Sequence, residues 1–84
     1  MHDLHTADKI IKIALEQGLK NKLKKITKIV VELGSIVEHG EEINSANLKF
    51  NLKLLSKGTI AENSEIKIGK IKGASWNLKE IEGE

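Results

Sequence analysis

The sequence predicts an α+β domain with two helices packed on a small three-stranded β-sheet, and three observations predict it. Apolar residues near the N-terminus recur at helical spacing. Ile26 to Leu33 is a β-branched run closed by Gly34. Glu65 to Ile71 alternates apolar with charged positions. The order helix, strand, loop, helix, strand, strand is satisfied by an amphipathic helix pair covering one face of the sheet. At 84 residues the chain builds one core, so residues 1–84 are expected to form one domain. Its stability should be modest unless a partner or metal adds to it.

The first helix follows from Leu4, Ala7, Ile11, Ala14, Leu15 and Gly18, with Ile10 beside that stripe and Asp8, Lys9, Lys12, Glu16 and Lys20 largely off it. Its expected span is residue 4 to about 19. Asp3 or Thr6 could cap the start, and Gly18 and Asn21 could end it. In the strand at 26–33, Ile29, Val31 and Leu33 share one face, and Ile26 and Val30 share the other with Lys28 and Glu32. Residues 35–44 are polar, contain Gly40 and read as a loop.

Residues 44–57 carry two patterns at once. Leu48, Phe50, Leu52 and Leu54 alternate with Lys49, Asn51 and Lys53, as in a strand. Leu48, Leu52 and Leu55 also line one helical face, with Phe50 and Leu54 opposite. Periodicity leaves both open, and length slightly favours helix. Lys57-Gly58 ends the element. Glu65 to Ile71 reads as a strand and Gly73-Ala74 as a turn. Trp76 to Ile81 reads as a last strand that could pair with the preceding one as a hairpin.

Composition narrows the function classes. There is no cysteine, which excludes disulfides, thiolate zinc sites, iron–sulfur clusters and cysteine nucleophiles. No apolar run is long enough to span a membrane, and the N-terminus lacks the pattern of a signal peptide, so the cytoplasm is the expected location and no membrane partner is expected. Net charge is +2, every cation is lysine, and there is one Phe, one Trp and no Tyr. Without arginine or aromatic platforms, nucleic acid is not an expected partner. No Gly-rich phosphate loop, Ser–His–Asp arrangement or H-E-x-x-H motif is present, so no enzyme activity and no catalytic residue is expected. Glu41-Glu42 reads as a solvated pair. His39 could be a metal ligand or a titrating switch, although a lone loop histidine is more often simply exposed.

The N-terminus carries the most chemistry. Histidine at position 2 is bulky, so Met1 is expected to be retained. The Met1 amine, the His2 amide nitrogen and the His2 imidazole can then wrap one ion in fused chelate rings, a nitrogen set that suits square-planar Ni(II) or Cu(II). Asp3 offers a carboxylate or a second amide. His5, about one helical turn on, could add a further nitrogen. The plainer alternative is a pair of exposed histidines on a frayed terminus.

Met1-His2-Asp3-Leu4, followed by a helix ending Ile13-Ala14-Leu15-Glu16-Gln17, resembles the Met-His-Glu start and first helix of the HypA/HybF family of hydrogenase maturation proteins. Val30-Val31-Glu32-Leu33-Gly34 resembles the family's first strand and its closing glycine. Leu54-Leu55-Ser56-Lys57-Gly58-Thr59-Ile60-Ala61-Glu62 resembles the segment ending its second helix. The resemblance implies that residues 44–57 are helical. It further implies a nickel metallochaperone for [NiFe]-hydrogenases that works with a HypB-like GTPase and the hydrogenase large subunit. By resemblance His2 carries the essential nickel imidazole, and the Met1 amine and backbone amides complete the set. Asp3 takes the family's Glu position, one methylene shorter. The family's zinc domain, with two C-x-x-C pairs, would enter near residues 72–76. Gly73-Ala74-Ser75 stands there instead, Trp76 to Glu84 resembles the returning strand, and no zinc site is expected. A metal-independent interaction module of the same descent, or weak self-association through an exposed sheet edge, is the alternative.

Overall fold

A computed structural model of the chain describes residues 2–38 and 41–84, and for residues 2–4, 38 and 41 the backbone alone. Helix α1 (His2–Lys20) leads to strand β1 (Ile26–Leu33). Two short strands follow, β2 (Val37–Glu38) and β3 (Glu41–Glu42), then helix α2 (Ser45–Ser56), β4 (Glu65–Lys70) and β5 (Trp76–Gly83). The main sheet has the order β4-β1-β5, with β1 parallel to β4 and antiparallel to β5. The expected α+β class, with two helices on a three-stranded sheet, holds.

Helix α1 buries the expected stripe: Ala7, Ile10, Ile11 and Ala14 are in the core, with Leu15 partly buried against it. The helix starts at His2, earlier than expected, so Asp3 and Thr6 lie inside it and do not cap it. Thr6 is buried in the second turn. The C-terminus closes through the backbone. Lys22 takes a left-handed φ of 58°, its N–H donates to Leu19 O at 3.0 Å, and Leu23 N–H donates to Gly18 O at 2.9 Å. This paired arrangement satisfies two orphan carbonyls. Asn21 adds a side-chain N–H to Gln17 O at 2.8 Å. Gly18 is not the stop; it lies in the last turn, where Ile26 packs against it.

Strand β1 lies in the middle of the sheet, with partners on both sides. Ile29, Val31 and Leu33 are buried beneath the helices, flanked by Ile66 and Ile68 of β4 and by Ile81, Leu78 and Trp76 of β5. Two expectations change here. Ile26 does not share a face with Val30: a bulge between Ile26 and Lys28 turns it to the helix side, where it is fully buried. The last two strands do not form a hairpin, because β1 lies between them. Putting the strand with apolar residues on both faces at the centre buries more surface than leaving it at an edge. A second bulge, between Val30 and Val31 and their partners Glu80 and Leu78, lets Leu78 and Ile81 share a face despite their odd spacing.

The opposite face of the sheet is polar. Lys28 lies between Glu65 and Glu82, and Val30 lies between Lys67 and Glu80. Lys28 pairs with Glu82 at 3.6 Å, and Asn77 Nδ2 donates to Glu32 Oε1 at 3.0 Å. The outer edges of β4 and β5 carry charged residues, which discourage strand addition.

The connection 71–75 crosses the end of β1. Ile71 N–H donates to Leu33 O, Ser35 N–H to Gly73 O and Gly34 N–H to Ser75 O, at 3.0, 2.8 and 2.8 Å. A Cβ at Gly34 would meet Gly73 O at 2.5 Å and Ser75 O at 2.8 Å, so only glycine fits beneath this crossing. The stretch read as a loop at 35–44 holds the pair β2–β3, joined antiparallel. It is tied to the core by buried Ile43, whose N–H donates to Ile36 O at 2.8 Å.

Helix α2 resolves the double pattern. Leu48 and Leu52 are fully buried, Leu55 packs partly against the core, and Phe50 and Leu54 face out. Asn44 caps the start by accepting from the N–H groups of Ala46 and Asn47 at 2.7 and 3.2 Å. Gly58, at φ 78°, turns the chain away after Lys57. Among the described residues no helix is long and apolar enough to cross a membrane.

Candidate metal centre

The candidate site lies at the start of α1, and the core determines where that start points. Gly18 rests on Ile26 at the beginning of β1, while Ile13 shares a cleft with Trp76 and Leu78 near the other end. The helix therefore runs from the Leu33 end of the sheet towards the Ile26 end. Nineteen residues span about 28 Å. The first turn thus stands at the end of the sheet that the 71–75 connection crosses. Buried Thr6 and Ala7 anchor it from below.

The helix begins at His2, which has a chemical consequence. The first N–H groups of any helix lack an acceptor one turn earlier. The amides of His2 and Asp3 are in that position, so giving up their protons breaks no helical hydrogen bond. The positive end of the helix dipole opposes a bare cation, but it also favours the deprotonated, anionic amide nitrogen.

Of the expected ligands, Met1 lies outside the described residues. His2 and Asp3 are placed by backbone alone, at the first positions of α1. His5 is exposed and three residues beyond His2, the spacing that puts two side chains on one helical face. His39 also lies outside the described residues. Among the described residues no group of three His, Asp or Glu side chains could hold a metal ion. The backbone thus brings His2, Asp3 and His5 to one helix end. Glu42 is exposed and faces Lys70 at 3.7 Å. What the sequence did not offer was the helix start at His2, since no N-cap signal precedes it.

Comparison with known proteins identifies the family. Residues 1–77 match the profile of a family described as hydrogenase/urease nickel incorporation, metallochaperone, hypA. The hydrogenase maturation factor HypA of Legionella pneumophila strain Lens is 37% identical over 73 residues, covering 87% of this chain and 61% of the relative. That of Thermococcus onnurineus is 34% identical over 91 residues, covering 99% and 63%. The chain thus spans about six-tenths of the length of these curated relatives. The solution structure of the Ni metallochaperone HypA from Helicobacter pylori superposes with a TM-score of 0.69 at 13% identity, over 93% of this chain and 70% of that one, which shows a shared fold. The family's description is that of an accessory metallochaperone rather than a catalyst. On the family profile, the identities and the fold, the chain belongs to the HypA family.

Proposed function

We propose that this chain carries Ni(II) as cargo at the start of α1 and passes it on during [NiFe]-hydrogenase maturation. The Met1 amine, the His2 amide and the His2 imidazole form the planar nitrogen set. Asp3 supplies a second amide or its carboxylate, and His5 is the further donor on the same helical face. The observation that carries this reading is the helix start at His2 in a HypA family member, which leaves the required amides without helical acceptors. The chain transfers metal by ligand exchange and makes no covalent change in a substrate. Its partners are a HypB-like GTPase and the hydrogenase large subunit, and it works in the cytoplasm. The 84 residues hold no cysteine, so a C-x-x-C zinc site plays no part within them. Residues 72–76 mark the place where the family's zinc domain enters.

The test is Ni(II) titration of tag-free protein at about pH 7.5, near the amine's reference pKa of roughly 7.7–8.0. It is read by calorimetry and by the absorption of diamagnetic square-planar nickel. Binding should be lost when one residue is added before Met1, and in His2→Ala, with the helical signal unchanged. Affinity should fall as the pH is lowered, because the donors must shed protons to bind. Equal binding by all three proteins, or by none, would sink the reading in favour of a metal-independent interaction module.

A further inference from the structure

Five large apolar side chains among the described residues are more than a third exposed: Ile13, Leu19, Val37, Phe50 and Leu54. Only Phe50 and Leu54 lie one turn apart on the same helix. Phe50, the chain's single phenylalanine, is 66% exposed, and Leu54 is 47% exposed. The core does not use them, since Leu48, Leu52 and Leu55 already form the buried face of α2. They are also the residues that give α2 its strand-like alternation.

Their surroundings are one-sided. Helix α2 contains no acidic residue. At 3.6 residues per turn, Lys49, Lys53 and the capping Lys57 fall on one flank of the Phe50–Leu54 pair, and Asn47 and Asn51 fall on the other. All three lysines are exposed, and none pairs with a carboxylate among the described residues. They follow one another at intervals of about 6 Å along the helix.

We infer that this face of α2 docks an acidic amphipathic helix of a partner protein. Aliphatic side chains of the partner cover Phe50 and Leu54, and carboxylates at i, i+4 spacing, also about 6 Å apart, meet the lysine row. The charge pattern decides against the other occupants. A second copy docking antiparallel through its own α2 would bring two lysine rows together, and like charges so placed repel; docking parallel would set each lysine row against asparagines, which offer it no carboxylate. A bilayer favours a broad apolar face with cations on both flanks, whereas here the apolar face is two residues wide and the cations lie on one side. The site is separate from the helix start that holds nickel, so the two readings stand or fall independently.

The probe is a dye-labelled synthetic helical peptide of about four turns, long enough for a stable helix. It carries leucines at i, i+4 on one face and glutamates at i, i+4 on one flank. Anisotropy should report binding that weakens at least about tenfold in Phe50→Ser and in the Lys49→Glu/Lys53→Glu double variant. Binding should also weaken in about 1 M salt, where charges are screened within roughly 3 Å. His2→Ala should leave it unchanged. The proposal is overturned if a scrambled peptide without an apolar face binds as well, if neither variant weakens binding, or if affinity is weaker than about 1 mM. It is equally overturned if the protein sediments with phosphatidylserine vesicles while ignoring the peptide, or if it forms a dimer that Phe50→Ser abolishes.

Discussion

Helices α1 and α2 pack side by side on one face of the same sheet, but their sequences are organised differently. The apolar stripe of α1 has a single purpose. Ala7 and Ala14 keep the contact close while Ile10 and Ile11 fill it, and Lys9, Lys12, Glu16 and Lys20 are left to solvent. Helix α2 carries two apolar sets, Leu48 and Leu52 for the core and Phe50 and Leu54 for the surface. Summed along the chain, the two sets alternate like a strand although the segment is a helix. An apolar residue that does not fit the helical face of its neighbours therefore need not argue against the helix; it can mark a residue placed there for something outside the fold.

The difference between the two sets of α2 can be broken most directly at Leu52. It is fully buried, and Leu52→Ala should cost about 2–5 kcal/mol in urea unfolding, a large part of the stability of so short a chain. A loss below about 1 kcal/mol would mean that α2 is only loosely seated. Next is the entry to α2: Asn44→Ala removes the acceptor for two backbone N–H groups and should cost about 1 kcal/mol. At the exit of α1, Lys22 holds a left-handed conformation that glycine adopts without strain. Lys22→Gly should raise the melting midpoint, by up to about 1 kcal/mol in stability. A fall would show that the lysine side chain itself supports the turn. The smallest effect belongs to Phe50→Ser, which should change stability by less than about 0.5 kcal/mol. Equal losses at Phe50 and Leu52 would erase the distinction between the two sets.

Most of the fold was legible in the residues because local pattern and final environment agree. The spacing of Ala7, Ile11 and Ala14 identifies α1, and the β-branched run 26–33 identifies β1. Strand pairing was less legible, because hairpin formation is the local default and β5 instead pairs across β1. A signal was present. Val30 makes β1 apolar on both faces, as suits a central strand, and the uneven spacing of Trp76, Leu78 and Ile81 betrays a bulge. The pair β2–β3 was hidden because two-residue strands leave no period to detect. At the candidate site, donor types could be read from Met1, His2, Asp3 and His5. The position of the helix start could not, because methionine, the residue before it in sequence, is not a capping residue type.

The crossing of residues 71–75 over Gly34 makes this end of the molecule a natural splice junction. Strands β4 and β5 lie on either side of β1, so the gap they leave is about two strand spacings, roughly 10 Å. A folded module whose own ends are about that far apart could replace the connection without altering a single strand-to-strand hydrogen bond. Lengthening the connection carries only a slowly growing entropy cost, about 0.6 kcal/mol per doubling. The demand on any such graft is local: it must again donate an N–H to Leu33 O, as Ile71 now does, and present carbonyl groups to the N–H of Gly34 and of Ser35, now satisfied by Ser75 and Gly73. The helix start and the core would then be inherited as a fixed chassis, with the accessory module free to be exchanged.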